Sequence, residues 1–444
     1  MQWSPSLNLP FLDRILSTVT KRERAQAARL PKGSGAGPQD LLRLADSLLS
    51  DRGEASGVAL ARDFLAAYRD LDGEAKTAFF AGLLSRFGPA RDRLDQAIRS
   101  FQDDPSDNAA HALHEAAEPR RQELIRRLNL AGGGTAMLVA MREDLLRRLK
   151  GDPALGVVDT DFAHLFSSWF NRGFLVVKRI DWTMPAVVLE KIIQYEAVHE
   201  INGWRELRSR IDPPDRRCYA FFHPALVDEP LIFVQVALTR GIPDAIGPIL
   251  DPSRQEASPD QADTAAFYSI SNCQAGLQGI SFGHFLIKQV VEELARDLPQ
   301  IRTFVTLSPV PAFMSWLGKS GAEVAASRLT AEDRAALESP KWFADKEVAS
   351  SLKERLLPLA AHYFLRAKTA RGEPVDPVAR FHLRNGARLE RINWLGDVSP
   401  KGLQQAAGLM VNYLYDRADI ERNHEAFATS GTIVASPAVS QLLE

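Results

Sequence analysis

The chain has 444 residues, more than one compact domain usually holds, so two domains are expected. Hydrophobic residues make up 45% and charged residues 25%, which excludes a mainly disordered, collagenous or coiled-coil chain. The 54 Lys+Arg against 56 Asp+Glu leave a formal charge of −2, so no global field draws the chain to nucleic acid or an anionic membrane, and any anionic ligand must be met locally.

The N-terminus becomes basic near Lys21-Arg22 but lacks the continuous apolar region and small-residue cleavage site of a secretory signal. Asp13 and Glu23 fit poorly in an organelle presequence. A cytoplasmic location is expected, with the mitochondrial matrix as the alternative. Only Cys218 and Cys273 are present, so neither a disulfide framework nor a Cys-rich zinc module can form, and a reducing compartment is expected. The C-terminal Gln-Leu-Leu-Glu carries no peroxisomal address.

Up to about Lys150 the sequence has helical periodicity. Leu41, Leu42, Leu44, Leu48 and Leu49 form one apolar stripe, and Phe64, Leu65, Tyr68 and Leu71 another. Asp107–Leu128, interrupted by Pro119, and Ala136–Leu149 continue the pattern, the latter with Thr135 as expected cap after Gly132-Gly133-Gly134. A helical bundle is predicted over 1–150, bounded by Gly151-Asp152-Pro153. Gly33-Ser34-Gly35-Ala36-Gly37 has no strand before it and is read as a connector. His111 and His114 share a helix face without a third ligand at metal spacing, and a solvated face is the better account.

The second part, 151–444, is mixed α/β. Tyr219–Phe222 and Leu231–Leu238 are predicted strands around a loop, and Leu231–Leu238 is far shorter than the roughly 20 apolar residues of a membrane helix. Ala265–Ile270 and Thr303–Leu307 are further strands with a helix between them, whose buried stripe is Leu286, Val290, Leu294 and Leu298: a βαβ unit. Leu329–Arg371 is helical, and short strands with a final helix follow Arg388.

Between the second strand pair runs a glycine-spaced turn, Gly276-Leu277-Gln278-Gly279-Ile280-Ser281-Phe282-Gly283-His284. Free N–H groups at the helix start and close backbone approach at glycine suit a diphosphate there. The spacing matches neither a Walker loop nor a dinucleotide fingerprint, and an unliganded turn is the competing reading. Gly279-Ile280-Ser281-Phe282-Gly283 also has the form of a hydrolase nucleophile elbow, but Ser281 lies about ten residues past the end of the strand, where that elbow needs it on the turn itself. Pro309 and Pro311 place Ser308 at the carboxyl end of its strand, beside the preceding strand's turn if the two are parallel. Asp376 as cap, Pro377 at the first position and Asn385-Gly386 at the end describe a helix with His382 in its last turn, where the helix dipole favours imidazolium. A serine before proline and a lone histidine are each more often structural, so position rather than identity singles these two out.

Together these segments resemble malonyl-CoA decarboxylases. The resemblance runs through Tyr195-Glu196-Ala197-Val198-His199, Arg217-Cys218-Tyr219, Glu229-Pro230-Leu231, Tyr268-Ser269-Ile270-Ser271, Gly276-Leu277-Gln278-Gly279, Leu307-Ser308-Pro309, Phe381-His382-Leu383, Arg391-Ile392-Asn393-Trp394, and Gly408-Leu409-Met410 with Asn412-Tyr413. The family implies an α+β organisation: an all-α N-terminal bundle used in homo-oligomerisation (dimer or tetramer), then a catalytic domain resembling the acyl-CoA N-acetyltransferase fold. It implies conversion of malonyl-CoA to acetyl-CoA and CO2 with no metal or other cofactor, CoA being part of the substrate. It places Ser308 and His382 as the catalytic pair, and Gln278, Gly279, Ile280, Ser281, Phe282, Gly283 and His284 at the CoA diphosphate. Ser269, Ser271, Asn412 and Tyr415 are expected near the same pocket. An acyl-CoA N-acyltransferase and a non-catalytic CoA-binding protein are the alternatives.

Overall fold

The computed structural model describes residues 37–50, 54–280 and 286–443. They fall into two compact units: Met1–Phe174 with the later segments Pro224–Leu226 and Gln274–Ser281, and the remainder of the chain. The connector at 33–36 and four residues of the turn expected to meet CoA, Ser281, Phe282, Gly283 and His284, lie outside the described residues.

The described part of the first unit is built on eight helices: Pro38–Leu48, Glu54–Arg69, Gly73–Arg86, Arg91–Asp103, Asp107–Ala117, Arg120–Asn129, Gly134–Arg148 and Gly156–Trp169. The predicted stripes are its core. Leu41, Leu42, Leu44 and Leu48 are buried, as are Phe64, Leu65, Tyr68 and Leu71, while Leu49 caps its helix half-buried. Phe64, Tyr68, Phe79 and Phe80 meet edge to face, with Phe64 and Phe79 centroids 5.8 Å apart. Buried charge is paired: Arg121 donates to Asp161, which also accepts from Gln122 Nε2 at 2.6 Å.

Two details differ from the expectation. Gly133, with φ +75°, is the cap of the helix beginning at Gly134, and Thr135 lies inside the first turn, where its hydroxyl donates to Asn129 Oδ1 at 2.8 Å. A side chain on Gly134 would meet the Leu128 carbonyl oxygen at 2.4 Å, so tight packing and a left-handed φ explain the glycines better than a capping hydroxyl does. The break at Gly151-Asp152-Pro153 is a turn within the helical unit: Asp152 caps a short 3₁₀ turn, and Gly156–Trp169 follows with Val158, Phe162 and Phe166 fully buried. The unit therefore continues to Phe174 rather than stopping near Lys150.

The second unit is a mixed α/β domain around one eight-stranded sheet. Its strands are β1 (Val176–Arg179), β2 (Arg216–Phe222), β3 (Pro230–Thr239), β4 (Thr264–Asn272), β5 (Thr303–Thr306), β6 (Ser308–Pro309), β7 (Arg388–Asn393) and β8 (Met410–Leu414). The order is β1-β2-β3-β4-β5-β8-β6, with β7 on β8. Strand β3 is buried over nearly its whole length, which is why it reads as a continuous apolar run without alternation. Strands β4 and β5 are parallel and joined through helix Leu286–Asp297, the expected βαβ unit; the other pairings are antiparallel. That helix buries Leu286, Val290 and Leu294, while Leu298 lies just beyond its end.

Two irregularities distinguish the centre of the sheet. On β3 and β4, Gln235 pairs with Ser269 but Val236 pairs with Phe267, so Tyr268 is an extra, bulged residue. Parallel pairing of β4 with β5 covers only Thr264–Phe267 against Thr303–Thr306, extended by the Leu307 N–H donating to Phe267 O at 2.9 Å.

Glycine positions offer a check on the first unit. A methyl group on Gly276 would sit 1.9 Å from the Val139 carbonyl oxygen, whereas one on Gly57, inside helix Glu54–Arg69, meets nothing within 4 Å. Gly276→Ala should cost about 1–3 kcal/mol by overpacking and Gly57→Ala should stabilise by about 0.5–1 kcal/mol, opposite shifts measurable by chemical denaturation.

Candidate active site

Where β4 and β5 part, a cavity of about 230 Å³ opens in the second unit. Its wall includes Val198, Tyr268, Ser269, Ser308, Phe381 and His382. Ser308 lies one residue past the end of β5, after Leu307, and pairs with Val411 of β8, which holds it there as the first residue of β6. His382 comes from helix Pro377–Arg384. That helix starts as predicted: Asp376 accepts from Ala379 N at 2.7 Å and from the Tyr363 hydroxyl at 3.0 Å, Pro377 takes the first position, and Asn385 ends it.

Ser308 and His382, 74 residues apart, meet with Ser308 Oγ 3.1 Å from His382 Nε2. Behind the imidazole, Nδ1 lies 2.8 Å from the Tyr415 hydroxyl. The ring is clamped by Tyr413, stacked at 4.6 Å between centroids, and by Phe381 edge-on at 5.1 Å. Ser308 is 5% and His382 2% exposed.

The directions of these hydrogen bonds can be assigned by counting protons. The Ser308 hydroxyl donates to Thr306 Oγ1 at 2.9 Å. Its single proton is thus used, and the contact with His382 must be donated by Nε2–H. Nδ1 is then bare and accepts the Tyr415 O–H. This is a neutral imidazole, and burial enforces it, pushing the pKa of His382 down to about 3. The helix terminus was expected to favour imidazolium; full desolvation wins over the dipole. Burial likewise holds the Tyr415 hydroxyl well above its ordinary value, so it remains a donor.

The remaining expected site residues divide. Ser269 lines the cavity. Ser271, 1% exposed, sits behind it and donates to Glu196 Oε1 at 3.3 Å. Tyr415 meets two residues of the cavity wall from behind, His382 through its hydroxyl and Phe267 edge-on through its ring. Asn412 is fully buried and fully bonded: Nδ2 donates to Thr306 O at 2.7 Å and Pro243 O at 3.1 Å, and Oδ1 accepts from Arg391 Nε and Asn393 Nδ2. With these bonds Asn412 braces the end of β5 at Thr306, two residues before Ser308.

Gln278, Gly279 and Ile280 belong to the first unit. There the Arg142 guanidinium, 3% exposed and paired with Asp159, donates to Gly276 O at 2.8 Å and Gln278 O at 2.9 Å, fixing the turn. Gly279 has φ +78°, a conformation side chains resist, and Gln278 and Gly279 are exposed while Ile280 turns inward. His111 and His114 are exposed, and His111 lies 3.5 Å from Glu115 on its own helix.

Sequence reading missed Thr306, Tyr413, Phe381 and, above all, Glu196. The signal for Glu196 was the two-residue spacing of Ser269 and Ser271, which puts both hydroxyls on one face of β4 and demands a common partner.

Known proteins match both units. The family described as malonyl-CoA decarboxylase N-terminal domain matches residues 87–170, and that described as malonyl-CoA decarboxylase C-terminal domain matches 173–444. A mitochondrial malonyl-CoA decarboxylase from Anser anser anser is 33% identical, covering 94% of this chain and 91% of that protein. One from Rattus norvegicus is 35% identical over 76% of this chain and 73% of its own. A solved malonyl-CoA decarboxylase structure from Rhodopseudomonas palustris, 58% identical, superposes with a TM-score of 0.87 over 91% of this chain and 99% of that one. The match spans the helical unit as well as the sheet unit, and by these relationships the chain belongs to the malonyl-CoA decarboxylase family.

Proposed function

We propose that the cavity bearing Ser308 and His382 is where this chain, a carboxy-lyase by family, converts malonyl-CoA to acetyl-CoA and CO2. The observation that carries this reading is the 3.1 Å contact between Ser308 and a neutral, clamped His382 on one cavity wall. The bond between C2 and the carboxylate breaks, its electron pair enters the thioester as an enolate, CO2 leaves, and C2 takes a proton. The thioester carbonyl is itself the electron sink, so this route invokes no metal or other cofactor.

The order of donors favours Ser308 as the immediate acid. The proton on His382 Nε2 points at Ser308 Oγ, so it reaches carbon only by way of the serine. Ser308 turns its hydroxyl proton from Thr306 Oγ1 to C2; as it gives that proton up, Nε2–H refills Oγ and the Tyr415 O–H refills Nδ1, and the phenol regains its proton from solvent after product leaves. A bare serine hydroxyl is a weak acid, and this row of donors is what makes the transfer effective. The CoA diphosphate is assigned to the Gln278–His284 turn, supported by Gly279's left-handed backbone and the exposed, Arg142-braced turn.

The helical unit is proposed as the assembly surface. Its helices Arg91–Asp103 and Asp107–Ala117 each bury a single alanine, Ala97 and Ala116, and Ile98 is 37% exposed, so the pair presents faces that its own unit does not cover. A cytoplasmic location is proposed from cysteine usage, a reducing character that the mitochondrial matrix shares.

Three measurements test these assignments. Ser308→Ala should lower kcat about 100-fold or more with CoA-ester binding kept, and near-normal turnover would overturn the assignment. Products decide the reaction class: acetyl-CoA plus CO2 formed without an added acceptor, and undiminished after chelator dialysis, is decarboxylation, whereas free CoA plus malonate would be hydrolysis. The pH dependence of stability comes from His382. The unfolded chain binds a proton near 6.5 and the folded one only near 3, so the histidine's contribution is present above 6.5 and is lost as pH falls towards 3. The melting temperature of the wild type should therefore fall more steeply from pH 6.5 to 4 than that of His382→Gln.

A further inference from the structure

One buried charge next to the cavity has no part in the proton relay of Ser308, His382 and Tyr415. Glu196 ends helix Ala186–Tyr195 and is 8% exposed. Its Oε1 accepts from Val198 N at 2.8 Å and His199 N at 3.0 Å, and its Oε2 from Gln235 Nε2 at 2.5 Å. The Ser269 hydroxyl is shared between both oxygens at 2.8 and 2.7 Å, and the Ser271 hydroxyl reaches Oε1 at 3.3 Å. Gln235 is itself oriented by the Tyr268 hydroxyl, which donates to its Oε1 at 2.8 Å. Every partner is a neutral donor, and among the described residues no Lys, Arg or His forms an ion pair with Glu196. The arrangement satisfies an acceptor-only carboxylate without neutralising it.

Val198, Tyr268 and Ser269 also line the cavity. The carboxylate therefore stands directly behind the wall that faces Ser308 and His382, and it consumes the one hydroxyl proton that Ser269 could have offered a ligand. In decarboxylation the charge of the departing carboxylate moves to the enolate oxygen as CO2 forms. Donors that grip the substrate carboxylate stabilise the ground state more than the transition state, and a fixed negative charge beside it does the reverse.

We propose that Glu196 is a positioning residue that keeps the seat of the malonyl carboxylate free of donors and negatively biased, lowering affinity for the substrate carboxylate while favouring its loss. The inference rests on the reading that this cavity receives the malonyl group.

The experiment uses the full-length protein, with binding read by calorimetry in a Ser308→Ala background so that malonyl-CoA persists. Glu196→Gln keeps the shape, removes the charge and frees the Ser269 hydroxyl. Malonyl-CoA should then bind about five-fold or more tightly, acetyl-CoA within about two-fold of before, and kcat in the otherwise wild-type enzyme should fall about ten-fold. Parallel changes for the two esters, weaker malonyl-CoA binding or an unchanged kcat would each overturn the proposal. Ser269→Ala gives a test independent of how Glu196→Gln folds: its malonyl-CoA affinity should be unchanged, and a loss confined to malonyl-CoA would make Ser269 a substrate donor and sink the idea. Failure of the cavity reading is distinguishable, because Ser308→Ala alone would then turn over normally.

Discussion

The separation of β4 from β5 is the constraint on which the rest of the site depends. Two parallel strands that continued side by side would fill the space between them with their own hydrogen bonds. Here pairing stops after Phe267 and Thr306, with Pro309 unable to donate to a ladder and Tyr268 bulged out of register on the opposite strand. The backbone freed on β4 carries Ser269 and Ile270, that beyond β5 carries Ser308, and the gap is the cavity. β8 makes the split tolerable by pairing with both β5 and β6, and Asn412 of β8 donates to the Thr306 carbonyl.

Within that gap the polar groups are arranged by desolvation. His382 is aimed by Tyr415, stacked on Tyr413 and kept neutral by burial, so it serves as a directed hydrogen-bond donor and not as a charge. The same burial that would make a lone imidazolium costly is harmless to a neutral ring with both nitrogens bonded. Glu196 shows the complementary solution: a buried anion tolerated by five neutral donors, two of them backbone N–H groups just beyond the helix it terminates. Neither group has an ion-pair partner among the described residues, so neither brings to the cavity a cation that would hold a carboxylate in place.

The architecture was legible because its signals are local. The leucine and phenylalanine stripes of the helical unit, the apolar run of β3 and the cap-to-glycine helix around His382 each declare themselves within about a dozen residues. Thr135 misled because a capping hydroxyl and a glycine in the left-handed region are both plausible helix starts, and only the Leu128 carbonyl pressing on Gly134 decides between them. The break at Gly151 misled for a similar reason: a Gly-Asp-Pro turn looks the same whether it joins two domains or two helices of one. The pairing of Ser308 with His382 followed from resemblance, since nothing in residues 74 positions apart announces contact. The bracing role of Asn412 and the place of Glu196 were not legible because both are set by hydrogen-bond partners distant in sequence: the spacing of Ser269 and Ser271 marks a shared polar face on β4 without naming what meets it.

The size of the cavity bears on how a chain of formal charge −2 manages a polyanionic ester. About 230 Å³ is less than the usual volume of a site for a drug-sized ligand, so under the proposed assignment it would take the acyl end of the substrate and not its nucleotide handle. Attraction for the CoA portion must then arise elsewhere, from backbone donors and local groups, and it acts equally on substrate and product. Binding energy gained on a part of the molecule that does not react can hold the reacting carboxylate against an unfavourable seat, the condition under which remote contacts raise turnover rather than affinity. Under the proposed assignment, a buried glutamate with no ion-pair partner among the described residues is tolerable beside an anionic substrate for that reason: the ester would be retained by what malonyl-CoA and acetyl-CoA share, and destabilised by the carboxylate in which they differ.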